Sequence, residues 1–305
     1  MSDRPQKKPS AALGAILIVL LLAAVLLGGL AVWRGYQNAK WTRPTPAAAP
    51  AAAAQAPETA QSKAAPAEAA PQEIPEEAAA PEPDTVTLMA LGDNLIHNTV
   101  YWSAETEDGG YDFTPFYADI KPTVQSYDVA CINQETIFVK DYAMLSNYPA
   151  FGSPTEVGDA LTDTGFDVVT CATNHCYDKL DTGILDTCSF WRENYPEVTV
   201  LGIHDSEEDA KTLRVVEKNN IKIAMLNYTY GLNYSAPEKK WMVDQFSTYD
   251  AVASDLDAAK AAADFVIVFA HWGEEGQTEP NRMQTTWAQF LADHGADLII
   301  GGHPH

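Results

Sequence analysis

Residues 166–178 read FDVVTCATNHCYD: a β-branched run, two small residues, and then Asn174, His175 and Asp178. An apolar run this short and this rich in Val and Thr has the length of a strand buried on both faces, and it stops where polar side chains begin. Four further segments repeat the pattern: VTLMALGD (86–93), DVACINQE (128–135), ADFVIVFAHWGEE (263–275) and ADLIIGGHPH (296–305). Between them LRVVEKNNIKIAMLNYT (213–229) reads as a hairpin turning at Asn219-Asn220. Amphipathic stretches near Asp181–Glu193, Tyr249–Ala263 and Asn281–His294 read as helices. Apolar strands alternating with helices predict an α/β layered domain over 85–305, one domain rather than two.

Upstream of that domain the chemistry changes. From Ala11 to Trp33 there is no charged residue, and 23 residues at about 1.5 Å each span a hydrocarbon core of roughly 30 Å. Residues 11–33 are therefore expected to be a transmembrane anchor, with 1–10 a short tail and Trp33 and Tyr36 at the interface. A cleaved signal peptide is the alternative, but its apolar region is usually only about 7 to 15 residues long. Arg4, Lys7 and Lys8 before the span balance Arg34, Lys40 and Arg43 after it, so charge bias does not orient it. Residues 34–84 form an Ala/Pro-rich linker: 26 of the 43 residues from Thr42 to Asp84 are Ala or Pro. Proline at that density stops the alanines from joining into one helix and favours an extended spacer, with plain disorder as an equally compatible reading.

The whole chain carries 42 acidic and 19 basic side chains, a net charge of −23, and −22 of it falls on residues 85–305. A surface that acidic lacks the clustered Lys and Arg that grip phosphate, which excludes nucleic acid as a partner. The four cysteines, at 131, 171, 176 and 188, have no zinc-ribbon spacing; Cys131 and Cys171 read as core fillers, with a Cys176–Cys188 bridge as an alternative.

The candidate functional residues are those just past each strand. Asp93 and His97 follow VTLMALG; Asn133 and Glu135 follow DVACI; Asn174, His175 and Asp178 follow DVVTCAT; His271 follows FVIVFA; His303 and His305 follow DLIIGG. Five of the seven histidines occupy such positions. Ligands of open α/β sheets collect at the carboxyl ends of strands, so these groups are expected to share one crevice. Singly, each has a structural explanation: Asp93 as a turn former, Asn174 as a helix cap, His271 as a hydrogen-bonded core side chain. Together, carboxylates, an amide oxygen and imidazoles suit borderline divalent ions such as Zn, Mn or Fe, and six or seven donors exceed one tetrahedral site. Two metals sharing a carboxylate would use them, in a site that polarises water against a phosphoryl or carbonyl centre.

The ordered motifs GD (92–93), NQE (133–135), ATNHCYD (172–178), HWGEE (271–275) and GGHPH (301–305), with Gln284 between the last two, resemble those of CapA-type capsule synthesis proteins. These form the poly-gamma-glutamate biosynthesis family within the calcineurin-like metallophosphoesterase superfamily. The resemblance spans about residues 86–305 and implies a four-layer sandwich of central β-sheets flanked by helices, on an extracytoplasmic head held to the cell membrane by one N-terminal helix. It implies metal ligation by Asp93, Glu135, Asn174, His271, His303 and His305, with Glu135 at the bridging position and His175 as general acid. Asp178 and Glu274 belong to the family pattern, Asp178 in a catalytic role. The chain departs from the superfamily at two points: Asn94 and Leu95 follow Asp93 where D-x-H is usual, the nearest histidine being His97, and Glu135 replaces Asp.

Three functions are compatible with this reading. One is a metal-dependent hydrolase acting in capsule or poly-gamma-glutamate synthesis. The others are a non-catalytic subunit of a membrane polymer synthase or exporter, with synthase subunits and the polymer as partners, and a general extracellular phosphoesterase. Because His305 is a candidate ligand, the natural chain is expected to continue several tens of residues beyond it.

Overall fold

The computed structural model describes residues 84–234 and 236–305. The predicted tail, membrane anchor and all but the last residue of the spacer lie outside the described residues. Among the described residues no helix is long and apolar enough to cross a membrane.

The strands, in chain order, are β1 (Leu88–Asn94), β2 (Val129–Gln134), β3 (Phe138–Val139), β4 (Ser153–Pro154), β5 (Val168–Thr170), β6 (Thr199–Leu201), β7 (Arg214–Lys218), β8 (Ile221–Thr229), β9 (Phe265–His271) and β10 (Leu298–Gly302). The longer helices are α1 (Asn98–Ala104), α2 (Glu156–Thr164), α3 (Leu180–Asn194), α4 (Tyr249–Ala262) and α5 (Arg282–Asp293). They build two four-stranded sheets, ordered β1-β2-β5-β6 and β10-β9-β8-β7, and β3 and β4 pair separately. The first sheet is wholly parallel; in the second, β10, β9 and β8 are parallel and β7 is antiparallel to β8. The β7–β8 turn falls at Asn219 and Asn220, with φ of 50° and 62°, the left-handed pair that a tight two-residue hairpin requires and that Asn tolerates.

Strand alternation sorts the side chains into layers. Val129, Cys131, Val168 and Leu201 of the first sheet meet Ile223, Met225, Ile267 and Phe269 of the second in a core between the sheets. On the outer face of the first sheet, Ala130, Ile132 and Val169 pack with Leu161 of α2 and Ile184, Phe190 and Trp191 of α3. On the outer face of the second, Ala224, Val266 and Val268 pack with Leu256 of α4 and with Trp287 and Leu291 of α5. The order is therefore helix, sheet, sheet, helix. Burial on both faces explains why β2, β5 and β9 read as continuous apolar runs, whereas the edge strands β1 and β10 are only partly buried. All four cysteines are free and buried, Cys131 between the sheets and Cys171, Cys176 and Cys188, the last on α3, in the core between the first sheet and its helices.

A buried amide ties the two sheets together at one end. Asn227 of β8 accepts from the backbone N–H of Cys171 (3.1 Å) and Ala172 (2.7 Å), just past β5, and donates to the Phe269 carbonyl of β9 (3.2 Å). Gly202 lies against this junction with φ +87°, and a Cβ there would run into Ala172 and Asn227; only glycine meets both conditions. Replacing Asn227 with the nearly isosteric Leu strands two buried amide donors, so Asn227→Leu is expected to cost about 3 kcal/mol in urea denaturation.

His204 is the one buried histidine outside the strand-end set. Its Nδ1 lies 3.1 Å from Asp209 Oδ2 and its Nε2 3.0 Å from Asp244 Oδ2, and Arg214 Nη2 sits 2.6 Å from the other oxygen of Asp209. Burial disfavours the charged imidazole, but the hydrogen bonds to the two carboxylates outweigh it and hold the pKa at about 9. Because the folded value exceeds the unfolded one near 6.5, this stabilisation is complete below about pH 6.5 and disappears as pH rises through about 9. His204→Gln should therefore lose about 3 kcal/mol at pH 6 and far less at pH 10, read from paired denaturant melts.

Candidate metal centre

Because β1, β2 and β5 run parallel in the first sheet and β8, β9 and β10 in the second, the carboxyl ends of β1, β2 and β5 fall on one rim and those of β9 and β10 on the rim facing it. The candidate residues meet across that junction. Asp93 is aimed by a bulge in β1: the register with β2 shifts between Leu91 and Asp93, setting Asp93 opposite Asn133, which re-aims a side chain as bulges do. Asn133 donates from Nδ2 to Asp93 Oδ1 at 2.6 Å and accepts at Oδ1 from Thr170 at 2.9 Å. The other Asp93 oxygen accepts from the His303 backbone N–H at 3.0 Å and lies 3.2 Å from His305 Nδ1.

His271, the last residue of β9, is almost fully buried. Its Nε2 is 2.8 Å from Asn174 Oδ1 and 3.8 Å from Glu135 Oε1, and its Nδ1 is 3.4 Å from Asn133 Nδ2. The chain then turns at Gly273, with φ +106° and a Cβ position pressed between Gln284 and Pro304. Gln284 is held there by the capping box of α5, reciprocal with Asn281. His303 stands at φ +93°, a backbone region that costs a non-glycine residue about 1–3 kcal/mol and recurs where function demands it. That turn points its N–H at Asp93 and its ring at His271, centroid to centroid 4.8 Å.

Three overlapping groups have ligand atoms within 4.8 Å of one another: Glu135, His271 and His303; Asp93, Glu135 and His305; and Glu275, His303 and His305. Six of the sequence-derived ligands, Asp93, Glu135, Asn174, His271, His303 and His305, thus line one crevice, with Asn133 beneath them. His97 lies apart from these groups, with Nδ1 3.0 Å from Asn147 Oδ1 and its ring edge-on to Phe151. Glu274 is exposed and outside the groups, whereas its neighbour Glu275 is in one of them.

Electrostatically the donor set is incomplete without a cation. Glu135 is 1% exposed and its Oε2 has no hydrogen-bond partner, nor has the buried Nδ1 of His303. Burial, followed by repulsion from Asp93, Glu275 and Asp178, pushes the Glu135 carboxyl up to about 8. Burial and neighbouring imidazoles hold His271 well below its ordinary value, and burial also lowers His303. Neutral imidazoles with available lone pairs beside crowded carboxylates are what a divalent ion needs, so the residues fit a metal.

Beside this cluster stands a second unit. His175 Nδ1 lies 2.6 Å from Asp178 Oδ2, and that oxygen also accepts from the Phe151 N–H at 2.7 Å. Phe151 packs edge-on to the His175 ring, centroids 4.6 Å apart. The imidazole is thereby fixed in orientation with Nδ1 committed to Asp178, which leaves Nε2 for proton transfer.

Residues that the motifs did not single out also line the site. Tyr230 packs on the His303 ring at 4.8 Å. Asn233 accepts from Asn174 Nδ2 at 3.3 Å and places its own Nδ2 3.1 Å from His175 Nδ1. Both follow β8, so the rule of polar groups just past a strand end applies to them too; Gly231 and Asn233 were its only visible marks. No spacing argument separates Glu275 from Glu274.

A raised carboxylate pKa gives a sign. Below about pH 4.5 Glu135 is protonated in the folded and unfolded chain alike; from there to about pH 8 only the unfolded chain ionises it, so the cost of its burial grows across that range. In chelator, the stability advantage of Glu135→Gln over the parent should grow across pH 5–8 at up to about 1.4 kcal/mol per pH unit, and saturating Mn²⁺ should reverse it. Thermal melts at fixed pH with and without Mn²⁺ check this.

The model of the bacterial capsule synthesis protein PGA_cap matches residues 87–305. The chain is 26% identical over 242 residues to the capsule biosynthesis protein CapA of Bacillus anthracis, covering 75% of this chain and 57% of that protein. It is 28% identical over 233 residues to the PGA biosynthesis protein CapA of Bacillus subtilis (strain 168), covering 73% and 58%. The chain therefore spans less than two thirds of the length of either relative. Among solved structures, a Staphylococcus aureus protein assigned as a 5'-nucleotidase, crystallised with alpha-ketoglutarate, is similar at 18% identity and a TM-score of 0.42, covering 72% of this chain and 44% of that one. With a family match running from the first strand to the last histidine of the crevice, the chain belongs to the bacterial capsule synthesis PGA_cap family.

Proposed function

We propose that this chain is a membrane-anchored, extracytoplasmic metal-dependent hydrolase of calcineurin-like metallophosphoesterase type, acting on a cell-surface polymer or its precursor during capsule formation. The observation that carries the reading is the crevice itself. Carboxylates, an amide oxygen and neutral imidazoles from two sheets converge on buried atoms without partners, next to an independently oriented His–Asp pair. The family membership and the two CapA relatives supply the capsule context, and the B. subtilis relative makes poly-gamma-glutamate the first polymer to test.

Asp93, Glu135, Asn174, His271, His303 and His305 would hold the metal, with Glu275 at the mouth. A divalent ion bound there supplies Lewis-acid polarisation of a phosphoryl or carbonyl oxygen and lowers the pKa of water. The protein's own part is positional. Asp178 holds His175 by Nδ1 so that Nε2 delivers a proton to the leaving oxygen or nitrogen, and Phe151 fixes Asp178 by its amide and His175 by its ring. Burial of Glu135 and His271 keeps bulk water from competing for those donors. The net −22 of the head repels polyanions over most of its surface, so binding of an anionic polymer depends on local cation charge in the crevice.

Full-length protein assayed on a chromogenic phosphodiester and on polyglutamate, with and without chelator, tests the reading. Chelator-sensitive turnover is expected, with His175→Ala and Asp178→Asn each losing about 10²–10⁴-fold in kcat while retaining metal by elemental analysis. Turnover that survives chelation, or bound metal with no turnover on either substrate class, would replace the hydrolase with a binding subunit or a different enzyme.

A further inference from the structure

Asn233 sits at a junction that the family motifs do not describe. The segment after β8 is fastened by its backbone to two of the strand ends that carry candidate ligands: Tyr230 N–H donates to the His271 carbonyl at 2.9 Å and Asn233 N–H to the Asn174 carbonyl at 3.1 Å. The Asn233 side chain then engages two adjacent residues of the 172–178 motif. Its Oδ1 accepts from Asn174 Nδ2, and its Nδ2 lies against the ring nitrogens of His175 at 3.1 and 3.4 Å. One chain of contacts thus runs from His175 through Asn233 and Asn174 to His271.

The two ends of an amide are chemically opposite. The oxygen offers lone pairs to a cation; the NH₂ group offers only donors. Asn174 serves as a ligand only when its oxygen faces the cluster, and here it does, 2.8 Å from His271 Nε2. Two contacts hold that orientation, one from His271 and one from Asn233. The His271 contact cannot persist once Nε2 gives its lone pair to a metal, because the donated proton is gone. The Asn233 contact survives, and a flipped Asn174 would set two carbonyl oxygens against each other.

We propose that Asn233 is a positioning residue for cation binding: its side-chain oxygen fixes the Asn174 amide with the oxygen toward His271, so the loop past β8 sets part of the site's metal affinity. The proposal rests on reading the strand-end cluster as a metal centre, and not on what the enzyme hydrolyses.

Calorimetric titration of Mn²⁺ into chelator-stripped full-length protein tests it. Asn233→Ala should weaken Mn²⁺ binding by about tenfold or more, the usual penalty for removing a group that orients a ligand. Asn233→Asp keeps an acceptor oxygen in place and should bind Mn²⁺ within about threefold of the parent, or tighter, given the orienting contact it retains. The decisive comparison is made in Asn174→Asp, whose side chain carries oxygen at both ends. There Asn233→Ala should cost almost nothing, whereas a merely structural role would cost the same in both backgrounds. Equal losses in the two backgrounds, unchanged affinity in Asn233→Ala, or a tenfold loss in Asn233→Asp would each overturn the proposal. Parent protein that binds no Mn²⁺ would overturn both this inference and the metal centre. A correct Mn²⁺ pattern in a protein that hydrolyses neither substrate would leave this inference standing and remove only the proposed activity.

Discussion

Everything at the site depends on two separate sheets ending at the same height. A ligand set split between them is useful only if their carboxyl rims stay in register, and apolar packing between sheets, being non-directional, resists sliding weakly. Asn227 supplies the direction. Its amide oxygen takes two successive N–H groups just beyond β5, and its NH₂ group takes a carbonyl of β9. The same junction begins the segment 172–178 that holds Asn174, His175 and Asp178, so the tie between layers and the placement of the chemistry are one feature.

Burial then does two jobs in the crevice. It strips Glu135 of solvent without giving Oε2 a partner, and it holds His271 and His303 in the neutral form. Either change alone would be a defect: an uncompensated carboxylate, or an imidazole with no use for its lone pair. Side by side they complement each other around a positive charge that the protein does not itself provide. Elsewhere the chain shows the alternative. His204 is equally buried, yet two carboxylates reach its two nitrogens and Arg214 balances one of them. That cluster is closed among its own side chains, whereas the crevice is open to an ion.

Much of this was legible in the sequence because both signals are local. A strand buried on both faces must be continuously apolar, and a polar residue ending such a run must sit at a rim; 128–135, 166–175 and 263–275 satisfy both and coincide with β2, β5 and β9, while 86–93 and 296–305 carry the same run and rim residues on the partly buried edge strands β1 and β10. The Asn-Asn turn and the three long helices follow from equally local rules. Other features carry no local mark. β6 is three residues long, and α2 is a helix whose apolar face is paid for by packing under the first sheet. That the strands divide into two sheets came from the family resemblance, because alternation says which faces are buried and not what buries them. His97 shows the limit of the rim rule: it follows β1 closely, but it stands at the N-cap of α1, where its ring turns to Asn147 and Phe151. Asn233 shows the opposite limit: it reaches the crevice from a loop whose preceding apolar run the sequence marks only as half of a hairpin.

The hydrogen bond between His303 N–H and Asp93 joins residues 210 apart in the chain. Closing a loop of that length is entropically costly, and parallel strands make most of the intervening pairings non-local as well, which slows folding. No intermediate containing only one of the two sheets can assemble the crevice, since the first sheet brings Asp93, Glu135 and Asn174 and the second brings His271 and His303. The crevice is in this sense a checksum on the fold: a chain that has misdocked one sheet cannot bring the carboxylates of the first and the imidazoles of the second together.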